Sequence, residues 1–127
     1  MTLAYVCIII AMILPILLAG YAKVSTGFKS RHNSAPREFL ERAEGKALRA
    51  RWAEQNTYEA LPGFFTAVVV AHQLNAPQHI VDILAMAFIA LRLVYAWCYI
   101  NDYASLRSLV WLGGLGCSIA LVVIGFQ

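Results

Sequence analysis

The sequence predicts an all-α fold, an integral membrane four-helix bundle forming one domain over residues 1–127. Three observations carry this. The chain is 61% apolar and only 13% charged, where soluble domains run nearer about 45–50% and about 25%. Its apolar residues come in long runs separated by short polar segments. Of its ten Lys and Arg residues, only Arg92 and Arg107 lie outside the stretch from Lys23 to Arg51, which directly follows the first apolar run. A soluble fold of this size has no place to hide so much apolar surface, whereas a bilayer does.

The first helix is expected over residues 3–22, close to the roughly 20 residues that cross a hydrocarbon core. No Lys or Arg precedes it, and it exceeds a typical signal-peptide core, so it reads as an uncleaved span. Pro15 is expected to kink it. Val24 to Ala35 reads as a polar loop. Pro36 suits a helix's first turn, with Ser34 as its cap. From Arg37, the residues Leu40, Ala43, Ala47 and Leu48 recur at helical spacing, opposite Glu38, Glu41, Arg42 and Lys46. This amphipathic stretch reads as running unbroken into the apolar Ala60 to Leu74, giving a second helix over 37–74 that projects beyond the membrane.

Asn75-Ala76-Pro77 reads as an uncharged turn, and Pro77 opens a third helix over 77–100. After a turn at Asn101 to Ala104, Ser105 is the expected cap of a fourth helix over 105–126. Gly113, Gly114 and Gly116 inside it would argue against a helix in water, but small residues let helices approach closely in a membrane.

Orientation follows from the basic residues. The segment after the first helix carries eight Lys and Arg residues, the turn after the second carries none, the turn after the third is followed at once by Arg107, and cytoplasmic loops are the basic ones. Both termini are therefore expected outside the cytoplasm. The basic segment reads as a membrane-flanking loop and not as a nucleic-acid surface. Cys7, Cys98 and Cys117 sit in apolar stretches without CxxC spacing, and His72 and His79 flank a turn, so no metal site is expected.

Polar residues inside membrane helices are costly and are functional candidates by default. On the second helix Arg49, Trp52, Asn56, Glu59 and Gly63 are spaced three, four, three and four, so they share one face. Pro62 beside them leaves the Tyr58 carbonyl without its helical donor. Glu59 must be paired or reach water. On the third helix Arg92, Tyr95 and Tyr99 also share a face, and Arg107 follows across the turn. Arg92 lies about two turns inside the cytoplasmic end, where an ion pair with Glu59 would lower its cost. Together these residues describe a polar pocket opening to the cytoplasm, with arginines suited to a small ligand that bears carboxylates.

At these residues the sequence resembles the MAPEG family, the membrane-associated proteins of eicosanoid and glutathione metabolism. Asn56-Thr-Tyr-Glu59-Ala-Leu-Pro62 resembles the family's N-x-x-E-x-x-P. Arg92-Leu-Val-Tyr95-Ala-Trp-Cys-Tyr99 followed by Leu106-Arg107-Ser108 resembles its R-x-x-Y-x-x-x-Y and later arginine. The resemblance, to a bacterial-type microsomal glutathione transferase, covers essentially the whole chain.

That resemblance implies a homotrimer of four-helix protomers, with glutathione as co-substrate bound between subunits near the cytoplasmic side. By position Asn56 and Glu59 would hold its peptide part, Arg92, Tyr95 and Tyr99 would complete the pocket, and Arg107 would face the thiol as the catalytic residue. Trp52 stands where some members carry arginine, and Glu54 where they carry glutamine or histidine. Arg49 and Arg51 are the nearby substitutes as ligands. A thiol has a pKa of about 8.5 when unperturbed, and a guanidinium and a helix N-terminus both favour the thiolate. The implied activity is a glutathione transferase or peroxidase of detoxification, acting on lipophilic electrophiles or hydroperoxides in a bacterial inner membrane, with lipid around it. The alternative is a non-enzymatic lipid-binding or scaffold protein of the same fold. Short spans without paired discontinuous helices speak against a transporter.

Overall fold

A computed structural model describes residues 2–127. The described residues form five α-helices: α1 Leu3–Ser25, α2 Pro36–Glu41, α3 Gly45–Gln73, α4 Gln78–Ile100 and α5 Ala104–Gly125, with a 3-10 turn at Ser30–Ser34. Helices α1, α4 and α5 are long and apolar enough to cross a membrane. Their outer faces are apolar and exposed, for example Ile16 and Leu17 on α1, Ile83 on α4, and Leu109 and Leu112 on α5.

Helix α3 differs. It is too polar to qualify as a span by composition, yet it packs against all three of the apolar helices. Its buried Leu61, Phe64, Ala67, Val68 and Ala71 share one core with Ala4, Cys7 and Ala11 of α1, Val81, Ala85 and Phe88 of α4, and Leu121 of α5. The Phe64 and Phe88 rings stack flat, with centroids 4.0 Å apart. At about 1.5 Å per residue, the 29 residues of α3 exceed a hydrocarbon core of about 30 Å by more than two turns.

The four long helices alternate in direction. At one end Arg49 Nε on α3 donates to the Ile100 carbonyl that closes α4, at 2.9 Å. At the other end the start of α1 meets the end of α3 and the start of α4. There the Ala4 N–H donates to Asp82 Oδ1 at 2.8 Å, and Tyr5 stacks on His72 with centroids 4.5 Å apart. His72 Nδ1 donates to the Val68 carbonyl at 2.8 Å. Its Nε2 is therefore free to accept from the Thr2 hydroxyl, 3.4 Å away. Asp82, the one acidic residue of α4, thus serves as a second N-terminal cap for α1, beside Thr2.

Three helices end in the same way. The residue three beyond the helix donates back to the third-last carbonyl: Phe28 to Lys23, Ala76 to Ala71 and Tyr103 to Cys98. The linking residue in each case, Gly27, Asn75 or Asp102, has a positive φ. These are residue types that tolerate the left-handed region.

Several expected boundaries shift. Helix α1 runs on to Ser25 instead of ending at Ala22. The stretch expected as one helix over 37–74 is broken at Arg42–Glu44, because Gly45 at φ +59° turns the chain where a helical interior was read. Pro36 does open α2, but Ser34 is not its cap: its hydroxyl donates back to the Arg31 carbonyl. Ser105 lies inside α5, whose cap position is Tyr103. The basic segment is folded over on itself, with His32 stacked on Phe39 at 4.1 Å between centroids.

Candidate functional site

The chemistry gathers around Arg92. Its side chain is only 3% exposed and sits between α3 and α4. Nη1 donates to Asn56 Oδ1 at 3.2 Å and Nη2 to Thr57 Oγ1 at 2.8 Å. The guanidinium also lies over the Tyr95 ring, 4.2 Å from its centroid. The Arg92–Thr57 and Ile100–Arg49 contacts follow from a single antiparallel register of α3 against α4, so the bond that ends α4 also sets the depth of Arg92.

The expected ion pair between Arg92 and Glu59 does not form. Residues 57 and 59 lie about 200° apart around a helix of 3.6 residues per turn. Thr57 faces α4 and is fully buried, while Glu59 faces outward and is exposed. Asn56, one turn from Glu59, bridges the two: its amide accepts from Arg92 and its Nδ2 donates to Glu59 Oε2 at 3.4 Å. A cation, an amide and a carboxylate are thus lined up from the interior to the surface.

Tyr95 meets Tyr99 edge-on at 5.7 Å. Over Tyr99 lies the Arg107 guanidinium, 4.4 Å from the ring centroid. Arg107 belongs to the first turn of α5, an end that no side chain caps among the described residues. Its guanidinium and the free backbone amides of that turn therefore add positive potential at one place. Trp52 packs beside Tyr99, with centroids 6.3 Å apart.

Three adjoining openings share Asn56. One is bordered by Tyr95, Tyr99, Arg107, Ser108 and Trp111, another by Trp52, Gln55, Glu59 and Tyr99. A third, a slot of about 210 Å³, runs on between α3, α4 and α5 past Glu59, Gly63, Phe88, Arg92 and Trp111. Of the residues singled out in the sequence, Asn56, Glu59, Arg92, Tyr95, Tyr99 and Arg107 are brought together here.

Arg49 and Arg51 are placed elsewhere. Arg49 is engaged with Ile100. Arg51 is buried and paired with the equally buried Glu54, Nη1 to Oε2 at 3.0 Å. The Glu54 charge is therefore matched away from the openings, and Trp52 supplies an apolar wall at their edge. Thr57 and Asp82 were not singled out in the sequence. Thr57 sits inside the N-x-x-E stretch, one residue from Asn56, so the motif itself was the available signal.

No curated protein and no solved structure matches the chain. The sequence model of the MAPEG family matches residues 3–126, and three helices are apolar and long enough to span a bilayer. The protein is an integral membrane protein, and the chain belongs to the MAPEG family.

Proposed function

We propose that this protein is a membrane glutathione transferase or peroxidase. The observation that carries the reading is the convergence of Asn56, Glu59, Arg92, Tyr95, Tyr99 and Arg107 on adjoining openings at one end of the helices. Glutathione bears two carboxylates, one ammonium and a thiol. In this reading Glu59 takes the ammonium and Asn56 a peptide amide, while Arg92 holds Asn56 in position. Tyr95 and Tyr99 form the wall, and Arg107 faces the sulfur. The guanidinium and the uncapped start of α5 stabilise the thiolate there. With an electrophile, the thiol proton leaves to solvent, and the thiolate attacks the electrophilic carbon, forming the carbon–sulfur bond as the bond from that carbon to its leaving group breaks and the leaving group departs with the electron pair. With a hydroperoxide, two glutathiones become the disulfide, and the peroxide becomes alcohol and water. Arg49 and Arg51 are assigned to holding the helices.

In the same reading α3 is a fourth crossing, since it runs the full length of α1, α4 and α5 and lies between them. Its exposed face carries Tyr58, Glu59, Thr66 and Gln73, polar groups that lipid leaves unsatisfied. A neighbouring subunit of a trimer would cover them. In this reading the openings face the cytoplasm and both termini lie on the other side, as in a bacterial inner membrane; the basic segment from Lys23 to Arg51 supports it, since cytoplasmic loops are the basic ones.

A second reading, lipid binding without glutathione, is favoured by the exposed Trp52 at the rim. Calorimetry in mild detergent separates the two. Saturable glutathione binding that Arg92→Ala abolishes supports the first. Folded protein that binds lipid and no glutathione supports the second.

A further inference from the structure

The last four carbonyls of a helix have no partner inside it, and at the end of α4 each of them finds a donor. The turn that follows serves three. The Trp97 carbonyl accepts from the Asn101 N–H at 3.1 Å and from Asn101 Nδ2 at 2.9 Å. The Tyr99 carbonyl accepts from the Asp102 N–H at 3.2 Å and the Cys98 carbonyl from the Tyr103 N–H at 2.9 Å. Among the described residues no amide of the turn reaches the Ile100 carbonyl. Its donor is Arg49 Nε, 51 positions earlier on α3, at 2.9 Å. The charge of Arg49 also suits the negative end of α4.

The turn held in this way is short. Residues 101–103 alone join α4 to α5, and the exposed Trp97 and Tyr103 rings stack across it, with centroids 5.1 Å apart. The Tyr103 carbonyl then accepts from the Arg107 N–H at 2.9 Å. Arg107 in turn lies over the ring of Tyr99, the neighbour of Ile100 in the chain. Arg49 itself is half-buried and borders none of the three openings. It is therefore placed to hold the backbone beside the site, and not to touch what lies in it.

We propose that Arg49 is a positioning residue for Arg107: by holding the Ile100 carbonyl it fixes the α4–α5 turn, and through the turn the place of the Arg107 guanidinium over Tyr99. This rests on the reading that Arg107 faces the glutathione thiol, and deepens it. The attraction of a cation for a thiolate falls with distance. A guanidinium that drifts as the turn loosens therefore stabilises the thiolate less. Helix α3 supplies the brace, α4 the carbonyl and the ring, and α5 the cation.

The test compares Arg49→Met and Arg49→Gln in purified full-length protein in mild detergent, with glutathione and chlorodinitrobenzene. Methionine keeps an apolar stem and removes the donor. Glutamine sets an N–H donor as many bonds from Cα as Nε, without the charge. Arg49→Met should lower kcat roughly tenfold to a hundredfold, as a misplacement of about 1 Å can, with KM for glutathione little changed. The pH midpoint of thiolate absorbance should rise by about one unit, since each unit is a tenfold change in thiolate. Arg49→Gln should return rate and midpoint most of the way to the wild type. In Arg107→Ala protein, Arg49→Met should cause no further loss, because a residue that acts through another has no effect once the other is gone.

A rise in KM with kcat unchanged would make Arg49 a direct ligand and overturn the proposal. Failure of glutamine to rescue would do the same, since charge and not the bond would then matter, and so would losses that multiply in the double variant. Should Arg49→Met not fold, Arg49→Asn takes its place, with its amide one carbon too short to reach the carbonyl. Wild-type protein that binds no glutathione in calorimetry defeats the transferase reading and this proposal with it. Bound glutathione whose thiolate midpoint is the same in Arg49→Met as in the wild type defeats this proposal alone.

Discussion

The Thr57 hydroxyl accepts a hydrogen bond from Arg92 Nη2 at 2.8 Å and donates one to the Ala53 carbonyl at 2.7 Å. Both of its hydrogen-bonding roles are filled, so the hydroxyl has one orientation and fixes one rotamer of Arg92. Thr57→Val keeps the shape and removes the bond. It should lower stability by about 1–2 kcal/mol and weaken glutathione binding several-fold, because Asn56 is held by the same guanidinium. Thr57→Ser should restore both. Calorimetry and thermal unfolding of the three proteins check this, and equal affinity in Thr57→Val would show that Arg92 needs no such guide.

Arg107 lies over Tyr99 in the first turn of α5. Replacing it with alanine should leave glutathione bound but cut the conjugation rate roughly 100- to 1,000-fold, the usual effect of losing one charge-stabilising donor. Ultraviolet absorbance of the bound thiolate should fall in step. A rate loss without loss of thiolate would assign Arg107 to the electrophile instead.

The Arg51–Glu54 pair is buried on both sides. Arg51→Met alone strands a carboxylate and should cost about 3–5 kcal/mol, whereas Arg51→Met with Glu54→Leu should lie near the wild type. Unfolding in detergent gives both numbers. Glutathione affinity of the double variant should not change, since neither side chain borders the openings.

At the opposite end Asp82 accepts from the Ala4 N–H and from Gln78 Nε2, both at 2.8 Å. Asp82→Ala should destabilise the protein by about 1 kcal/mol, the typical worth of a helix cap. Hydrogen exchange at the first residues of α1 should rise, with no change in glutathione binding.

Much of this architecture is legible in the sequence, because the three apolar helices announce themselves by hydropathy and their turns by Asn75 and Asp102. Spacing also collects Asn56 with Glu59, and Arg92 with Tyr95 and Tyr99, each set on one helix. Spacing within a helix does not say how two helices are rotated against each other. For that reason it suggested Glu59 as the partner of Arg92, where the α3–α4 register selects Thr57 and Asn56. The break at Gly45 was hidden because apolar residues keep their helical period on both sides of it, and a single backbone angle decides the matter. Asp82 was illegible for a similar reason, since its partner is a backbone N–H on a helix far away in the chain.

The enclosure of α3 also bears on how the protein is made. A nascent segment with Glu54, Asn56, Glu59 and His72 gains little by leaving the translocon for lipid alone, since each ionised residue near a bilayer centre costs about 2.5–3.5 kcal/mol on insertion scales. With α3 crossing as proposed, α1 must already be in place to receive it, and α4 and α5 must follow before its remaining polar face is sealed. The order of the helices along the chain, apolar first and polar second, is then also the order of a working assembly line, in which α1 is the template and α3 its first client.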